Sequence, residues 1–180
     1  MERTICLYCG SRPGVLPAYA AAAAEFGAGV AERGWTLVYG GGGVGLMGIA
    51  ARAALAAGGR VVGVIPQALL EREQGLDEVH ELIVTASLRE RKAIMFERSD
   101  SFVALPGGFG TLEELVETLT LRQLRYHNRP IWILNTAGFY DPLWHFFTHA
   151  QETGFVGEGQ LELITVAETV GQLFAGLERG

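Results

Sequence analysis

The chain has a single lysine, Lys92, among 180 residues; the other 13 of its 14 basic side chains are arginine. Chemistry that runs through a lysine, such as a Schiff base to pyridoxal phosphate, therefore has one candidate. Basic residues are also outnumbered, 14 against 20 acidic ones, for a formal net charge of −6. That balance argues against a nucleic-acid-binding face, which needs clustered Lys and Arg. Cysteine is scarce: Cys6 and Cys9 are the only two. Their C-x-x-C spacing raises a redox or metal role, but they fall at a predicted strand, where a separation of three turns the side chains to opposite faces. No second pair completes a zinc set. Long apolar runs are missing as well. The Ala-rich stretch from Ala18 to Ala28 is interrupted by Glu25 and Gly27, and nothing approaches the roughly 18 residues of a membrane span. No basic segment followed by a long apolar one opens the chain, so no signal peptide is expected. The expectation is a cytoplasmic protein that binds neither membrane nor nucleic acid.

What the chain does have is apolar content, 49% hydrophobic, and 25 glycines. A length of 180 residues suits one domain, here taken as residues 1–180, able to bury roughly 70% of its unfolded surface without disulfides or a structural metal. Apolar, β-branched segments recur at Thr4 to Tyr8, Trp35 to Tyr39, Arg60 to Ile65, Glu81 to Val84, Ser101 to Leu105 and Pro130 to Leu134. Between and after them, helical patterns are predicted near 17–33, 46–58, 87–99, 111–126, 139–153 and 167–178. Strand and helix in alternation, with strands nearly all apolar rather than alternating, predict an α/β fold: a Rossmann-like, doubly wound parallel sheet with helices on both faces. In such sheets ligands bind beyond the carboxyl ends of the strands.

The unusual loops fall there. The first strand ends in Cys9-Gly10-Ser11-Arg12 and the second in Gly40-Gly41-Gly42-Gly43-Val44-Gly45; the fifth ends in Pro106-Gly107-Gly108-Phe109-Gly110-Thr111. The second loop satisfies G-x-G-x-x-G twice, through Gly40/Gly42/Gly45 and Gly43/Gly45/Gly48. A nicotinamide dinucleotide site would need an acidic residue at the end of the next strand, which instead runs into Pro66-Gln67. A Walker A loop is excluded by the lack of Gly-Lys-Ser/Thr. The remaining expectation is that six glycines within nine positions, more than tight packing alone readily explains, expose N–H groups to an anion. The third loop reads as a phosphate cradle, with Gly107, Gly108 and Gly110 allowing close approach, Thr111 capping, and a helix dipole pointing at the ligand. Glu113 and Glu114 are expected in that helix's first turn. Leu112, Leu115, Val116 and Leu119 define its apolar face, with Glu114 nearly opposite. Leu121 lies on the Glu114 side, so that face is expected to be covered by something else, such as a partner subunit. A carboxylate beside a bound phosphate suits a general base or a cation stabiliser. Arg91 and Lys92 open the preceding helix. His145 and His149, four apart, lack the nearby acid of a recognised metal motif, and no metal is expected.

At these residues the chain resembles the LONELY GUY (LOG) family of cytokinin riboside 5′-monophosphate phosphoribohydrolases, whose members are often described as lysine decarboxylase-like. The resemblance rests on Cys9-Gly10-Ser11, Gly41-Gly42-Gly43 with Gly45-Leu46-Met47-Gly48, Arg91-Lys92, Ser99-Asp100, Pro106 through Glu114, and Gln123-Leu124 before His127 and Pro130. It implies hydrolysis of the N-glycosidic bond of an adenosine-type 5′-monophosphate, with or without an N6 substituent, by a homodimer and without a cofactor. Arg91 and Glu114 take the family's catalytic positions. Lys92, Gly107, Gly108, Phe109, Gly110, Thr111, Leu112, Glu113, Glu73 and Thr120 take nucleotide-binding ones. Gly10, Ser11, Gly42, Gly43, Gly45 and Met47 complete the expected substrate site. Leu88-Arg89 stands where many members have Met-His. The alternative is a non-catalytic nucleotide or molybdenum-cofactor carrier of the same fold, which would need the glycines but not the Arg91–Glu114 pair.

Overall fold

The computed structural model describes residues 3–70 and 74–179. Seven strands form one sheet: β1 (Thr4–Tyr8), β2 (Thr36–Tyr39), β3 (Val61–Pro66), β4 (Glu81–Thr85), β5 (Ser101–Ala104), β6 (Ile131–Leu134) and β7 (Thr165–Ala167). Their order is β4-β3-β2-β1-β5-β6-β7, and every pairing is parallel. The helices are α1 (Pro17–Glu32), α2 (Gly45–Ala56), α3 (Gln67–Leu70), α4 (Leu88–Glu97), α5 (Phe109–Gln123), α6 (Asp141–Glu152) and α7 (Val170–Arg179). The chain winds outward from β1 to β4, returns by α4 to β5 on the other side of β1, and winds outward again. This is the expected doubly wound α/β architecture, and its strand order reverses between β1 and β5.

Alternation along β1 feeds two cores. Ile5 and Leu7 join Phe26 of α1, Ala50 of α2 and Phe174 of α7 on one face. Cys6 and Tyr8 join Met95 of α4, Leu115 of α5 and Tyr140, which immediately precedes α6, on the other. The alanine-rich stretch has a steric reason. A Cβ on Gly27 would lie 2.1 Å from the Ala50 carbonyl oxygen, so α1 and α2 approach at a distance that only small residues allow. Near the C-terminal end of α5, His127 meets Phe96 and Phe102 edge-on, and the Arg129 guanidinium lies over both rings. This knits α4 and β5 to the turn after α5.

Two elements escape the sequence pattern. β7 has three residues, too few for a periodicity, and α3 has four. The α5 boundary also shifts: the helix begins at Phe109, with Gly108 as its N-cap, two residues before the expected start. Phe109, Gly110 and Thr111 are thus its first turn rather than a loop, and Glu113 and Glu114 sit in its second.

Two predictions follow from these contacts. His127 Nδ1 accepts the Arg129 backbone N–H at 3.2 Å while Nε2 lies 3.0 Å from the Thr118 carbonyl, which requires a neutral ring protonated at Nε2. Burial lowers its pKa from 6.5, and the Arg129 and Arg122 charges oppose the Thr118 hydrogen bond in the same sense. The unfolded chain therefore binds the proton more readily. The stabilisation is present above about pH 6.5 and is lost as pH falls through the folded value. Denaturant titrations between about pH 7.5 and 5 should show the wild type losing stability relative to His127→Gln; parallel losses would remove the assignment. The second concerns Cys6 and Cys9, both free and buried, one in each core. Burial, then the Glu114 charge, pushes the Cys6 thiol up to about 12, and the same two causes raise Cys9 well above its ordinary value. Native protein at about pH 8 should leave a thiol-disulfide reagent unreacted, whereas unfolded protein should consume it at both cysteines. Rapid native reaction would contradict the packing.

Candidate functional site

At the reversal between β1 and β5 a cleft of about 530 Å³ opens beyond the strand ends, within the size range of small-molecule sites. Its floor is built where two loops nearly touch. The Gly10 N–H donates to the Pro106 carbonyl at 3.0 Å. A Cβ on Gly107 would fall 2.9 Å from the Gly10 nitrogen and 2.0 Å from Thr111 Oγ1. Gly107 is therefore a steric requirement, which lets the β1 loop and the start of α5 close over one another. The first turn of α5 lines this cleft; the first N–H groups of a helix have no intrahelical acceptor, and the helix dipole adds its positive end.

The wall opposite comes from α4, whose start is held by reciprocal caps. Ser87 Oγ accepts the Glu90 N–H at 3.2 Å, and Glu90 Oε2 accepts the Ala86 N–H at 2.8 Å. This variant of the capping box aims the following residue, Arg91, into the cleft. Arg91 is only 7% exposed and donates through Nη2 to the Gly40 carbonyl at 3.0 Å. Among the described residues its buried Nε has no hydrogen-bond partner. Glu114 lines the same cleft from the second turn of α5. The two charges act on the same thiol, since Glu114 raises the Cys9 pKa and Arg91 lowers it.

Of the residues expected from sequence, the cleft brings together Arg91, Glu114, Gly10, Ser11, Met47, Gly107, Gly108, Phe109, Gly110 and Thr111. Others lie elsewhere. Lys92 forms ion pairs with Glu113 and, at 3.0 Å, with Glu117, bridging α4 to α5 beside a smaller groove. Burial works against its charge, but the two carboxylates outweigh that and raise its pKa. Leu112 is half-buried against the core, and Thr120 is exposed with its hydroxyl bonded to the Val116 carbonyl. Glu73 lies outside the described residues.

The second glycine loop needs correction. Gly42 and Gly75 form an antiparallel bridge, the Gly43 N–H donates to Gln74 O at 2.8 Å, and the Leu76 N–H donates to Gly41 O at 3.1 Å. Gly42, Gly43 and Gly45 do not line the cleft. Close packing accounts for nearly all the loop's glycines: a Cβ would strike Arg91 from Gly40, Ile65 from Gly41, Gln74 from Gly43, Ser11 from Gly45 and Gly43 itself from Gly48. On the Glu114 side of α5, Tyr8 and α4 of the same chain form a groove with Glu114, Glu117, Thr118 and Leu121, and Thr118 Oγ1 lies 3.0 Å from Tyr8 Oη. His145 and His149 stand on the exposed side of α6, and no group of three or more His, Cys, Asp or Glu side chains suited to a metal occurs among the described residues.

Sequence reasoning named Arg12 and Gly40 only as members of their loops and missed Tyr19 and Phe139 as lining residues. Phe139 arrives through the turn after β6. There Asn135 Oδ1 accepts the Tyr140 N–H at 2.8 Å, and Tyr140 Oη donates to the Leu105 carbonyl at 2.7 Å, immediately before Pro106. Only Asn135, an Asx-type turn former after a strand, signalled that contact.

A family model described as possible lysine decarboxylase matches residues 47–177. Over 98% of its length the chain is 46% identical to a probable cytokinin riboside 5′-monophosphate phosphoribohydrolase of Oryza sativa subsp. japonica, covering 72% of that protein. It is 43% identical, again over 98% of its length, to a cytokinin riboside 5′-monophosphate phosphoribohydrolase of Arabidopsis thaliana, covering 82% of that protein. Among solved structures, the molybdenum cofactor carrier protein of Chlamydomonas reinhardtii aligns with a TM-score of 0.76 at 26% identity, over 99% of this chain and 98% of that one. A molybdenum cofactor binding protein of Rippkaea orientalis, at 23% identity and a TM-score of 0.75, covers 99% of this chain and 97% of its own and shares the fold. With the family model matching residues 47–177 and these relatives 43–46% identical over 98% of its length, the chain belongs to the LOG family of cytokinin riboside 5′-monophosphate phosphoribohydrolases.

Proposed function

We propose that the protein hydrolyses the N-glycosidic bond of adenosine-type 5′-monophosphates, N6-substituted ones included, to the free base and ribose 5-phosphate. The observation that carries the reading is the convergence on one cleft of a helix N-terminus, a buried guanidinium and a carboxylate. The first turn of α5 receives the 5′-phosphate through its backbone N–H groups. That anchoring fixes the ribose against Glu114, so that binding energy from the phosphate serves the reacting carbon. As the C1′–N bond breaks, its electron pair leaves with the base. Positive charge develops on the ribose, and the Glu114 carboxylate stabilises it and orients the attacking water. Water supplies the hydroxyl to C1′ and a proton to the departing base. Arg91 binds the nucleotide through its guanidinium and assists that departure.

The description attached to the family model would imply pyridoxal phosphate, but the residues do not fit it. A lysine that forms a Schiff base needs a free amine with a lowered pKa, whereas Lys92 is held as an ammonium between two carboxylates. The carrier reading draws on the structural neighbours alone. It leaves the Arg91–Glu114 pair without a task.

The finer expectations join this proposal. No helix among the described residues is long and apolar enough to cross a membrane, and two unpaired thiols suit a reducing cytoplasm. A homodimer would use the outer side of α5 and the turn after it, where Val116, Leu124 and Tyr126 are exposed around Thr120. Thr120 would then serve an assembled site rather than its own cleft.

The test is to incubate purified protein with AMP and with an N6-prenylated AMP, following free base and ribose 5-phosphate. Glu114→Gln should bind nucleotide with an affinity near that of the parent and lose at least about a hundredfold in turnover, the scale of removing a positioned catalytic group. No release from either substrate by the parent would favour the carrier, and full activity of Glu114→Gln would remove the assigned role.

A further inference from the structure

Arg91 reaches the cleft only because residue 40 has no side chain. A Cβ at Gly40 would stand 1.7 Å from Arg91 Nη2, 2.9 Å from Cζ and 3.1 Å from Met47 Sδ. The same residue's carbonyl accepts the hydrogen bond from Nη2 at 3.0 Å. Gly40 is not among the glycines with positive φ, so its backbone would admit alanine without strain and its requirement is one of space. The guanidinium is thus held at Nη2 by the residue that follows β2, while Nε is buried and without a partner among the described residues.

We propose that Gly40 is the positioning residue for Arg91: its missing side chain and its carbonyl together set where the guanidinium stands when nucleotide binds. The inference rests on the role given to Arg91 above. It gives the turn after β2 a task in the reaction that differs from phosphate binding, because β2 supplies the socket and α4 the side chain. Alanine's methyl would displace the far end of a flexible side chain, so the fold would lose little while the site lost its geometry.

A double-mutant cycle tests this, with base release from AMP and the melting temperature measured for Gly40→Ala, Arg91→Ala and the double variant. Gly40→Ala alone should lower kcat/KM by about a hundredfold, the scale of a misplacement of about 1 Å. In the Arg91→Ala background, where the space is vacant, the same change should alter kcat/KM by less than about twofold, as expected of residues acting as one unit. A Gly40→Ala enzyme within about twofold of the parent, or the same loss in both backgrounds, overturns the inference while leaving the proposed reaction intact. Full activity of Arg91→Ala overturns both. Should Gly40→Ala fail to fold, folding of the double variant supports the steric coupling, and its failure overturns it.

Discussion

Arg91 carries its charge to a place only 7% exposed, and a buried cation is tolerated only where hydrogen bonds and opposite charge replace water. Most features of the site bear on that constraint. The Gly40 carbonyl supplies the hydrogen bond and Gly40 the space. Ser87 and Glu90 cap α4 so that the side chain enters from the right direction. Glu114 puts an opposite charge on the same cleft, near enough for both residues to act on Cys9. An isolated buried guanidinium would cost several kcal/mol even after relaxation. Its position at the end of the sheet, lining the cleft together with Glu114 and the first turn of α5, suits an anionic or hydrogen-bond-accepting ligand.

The backbone around this pair is shaped by how closely its loops approach. Strand reversal between β1 and β5 brings Gly10 to the Pro106 carbonyl, and Gly107 is the residue that lets the contact close. The same economy of side chains governs the turn after β2, where glycine admits the β1 loop, the 74–76 segment and Arg91 from three directions. One compositional excess therefore serves two purposes. Around Gly107 it leaves helix N–H groups facing the cleft; around Gly42 and Gly43 it lets backbone bond to backbone.

That division explains what the sequence could and could not disclose. The six longer strands were legible because apolar residues fill most positions of strands buried on both faces, and the loops at their carboxyl ends lie at the edge of the sheet where the cleft opens. Arg91 was reached through the resemblance, whereas Glu114 was also marked by its place beside the phosphate loop, off the apolar face of α5. That its side of the helix meets Tyr8 and α4 is a non-local contact that no spacing within α5 encodes. The glycine loop was misread for a related reason: an N–H exposed to a ligand and an N–H paired with Gln74 demand the same small residue. β7 was missed because three residues carry no period, and the α5 start because Gly108 caps through its backbone conformation without a side-chain cap. The S-x-x-E of Ser87 and Glu90 was legible and went unused.

Lys92 shows how neighbouring positions divide the work. Arg91 and Lys92 are adjacent on α4, as Glu113 and Glu114 are on α5, and the structure pairs them in parallel: Arg91 and Glu114 face the cleft, while Lys92 meets Glu113 and Glu117 beside it. The carboxylates are half exposed, so such ion pairs contribute only about 0–1 kcal/mol each, too little to matter greatly for the fold. Their value lies in direction. A lysine held between two acids one turn apart on α5 ties α4 to that helix at a point beside the cleft. The lysine that would have had to carry cofactor chemistry is accounted for instead as the strut between the two helices that carry the proposed catalytic charges.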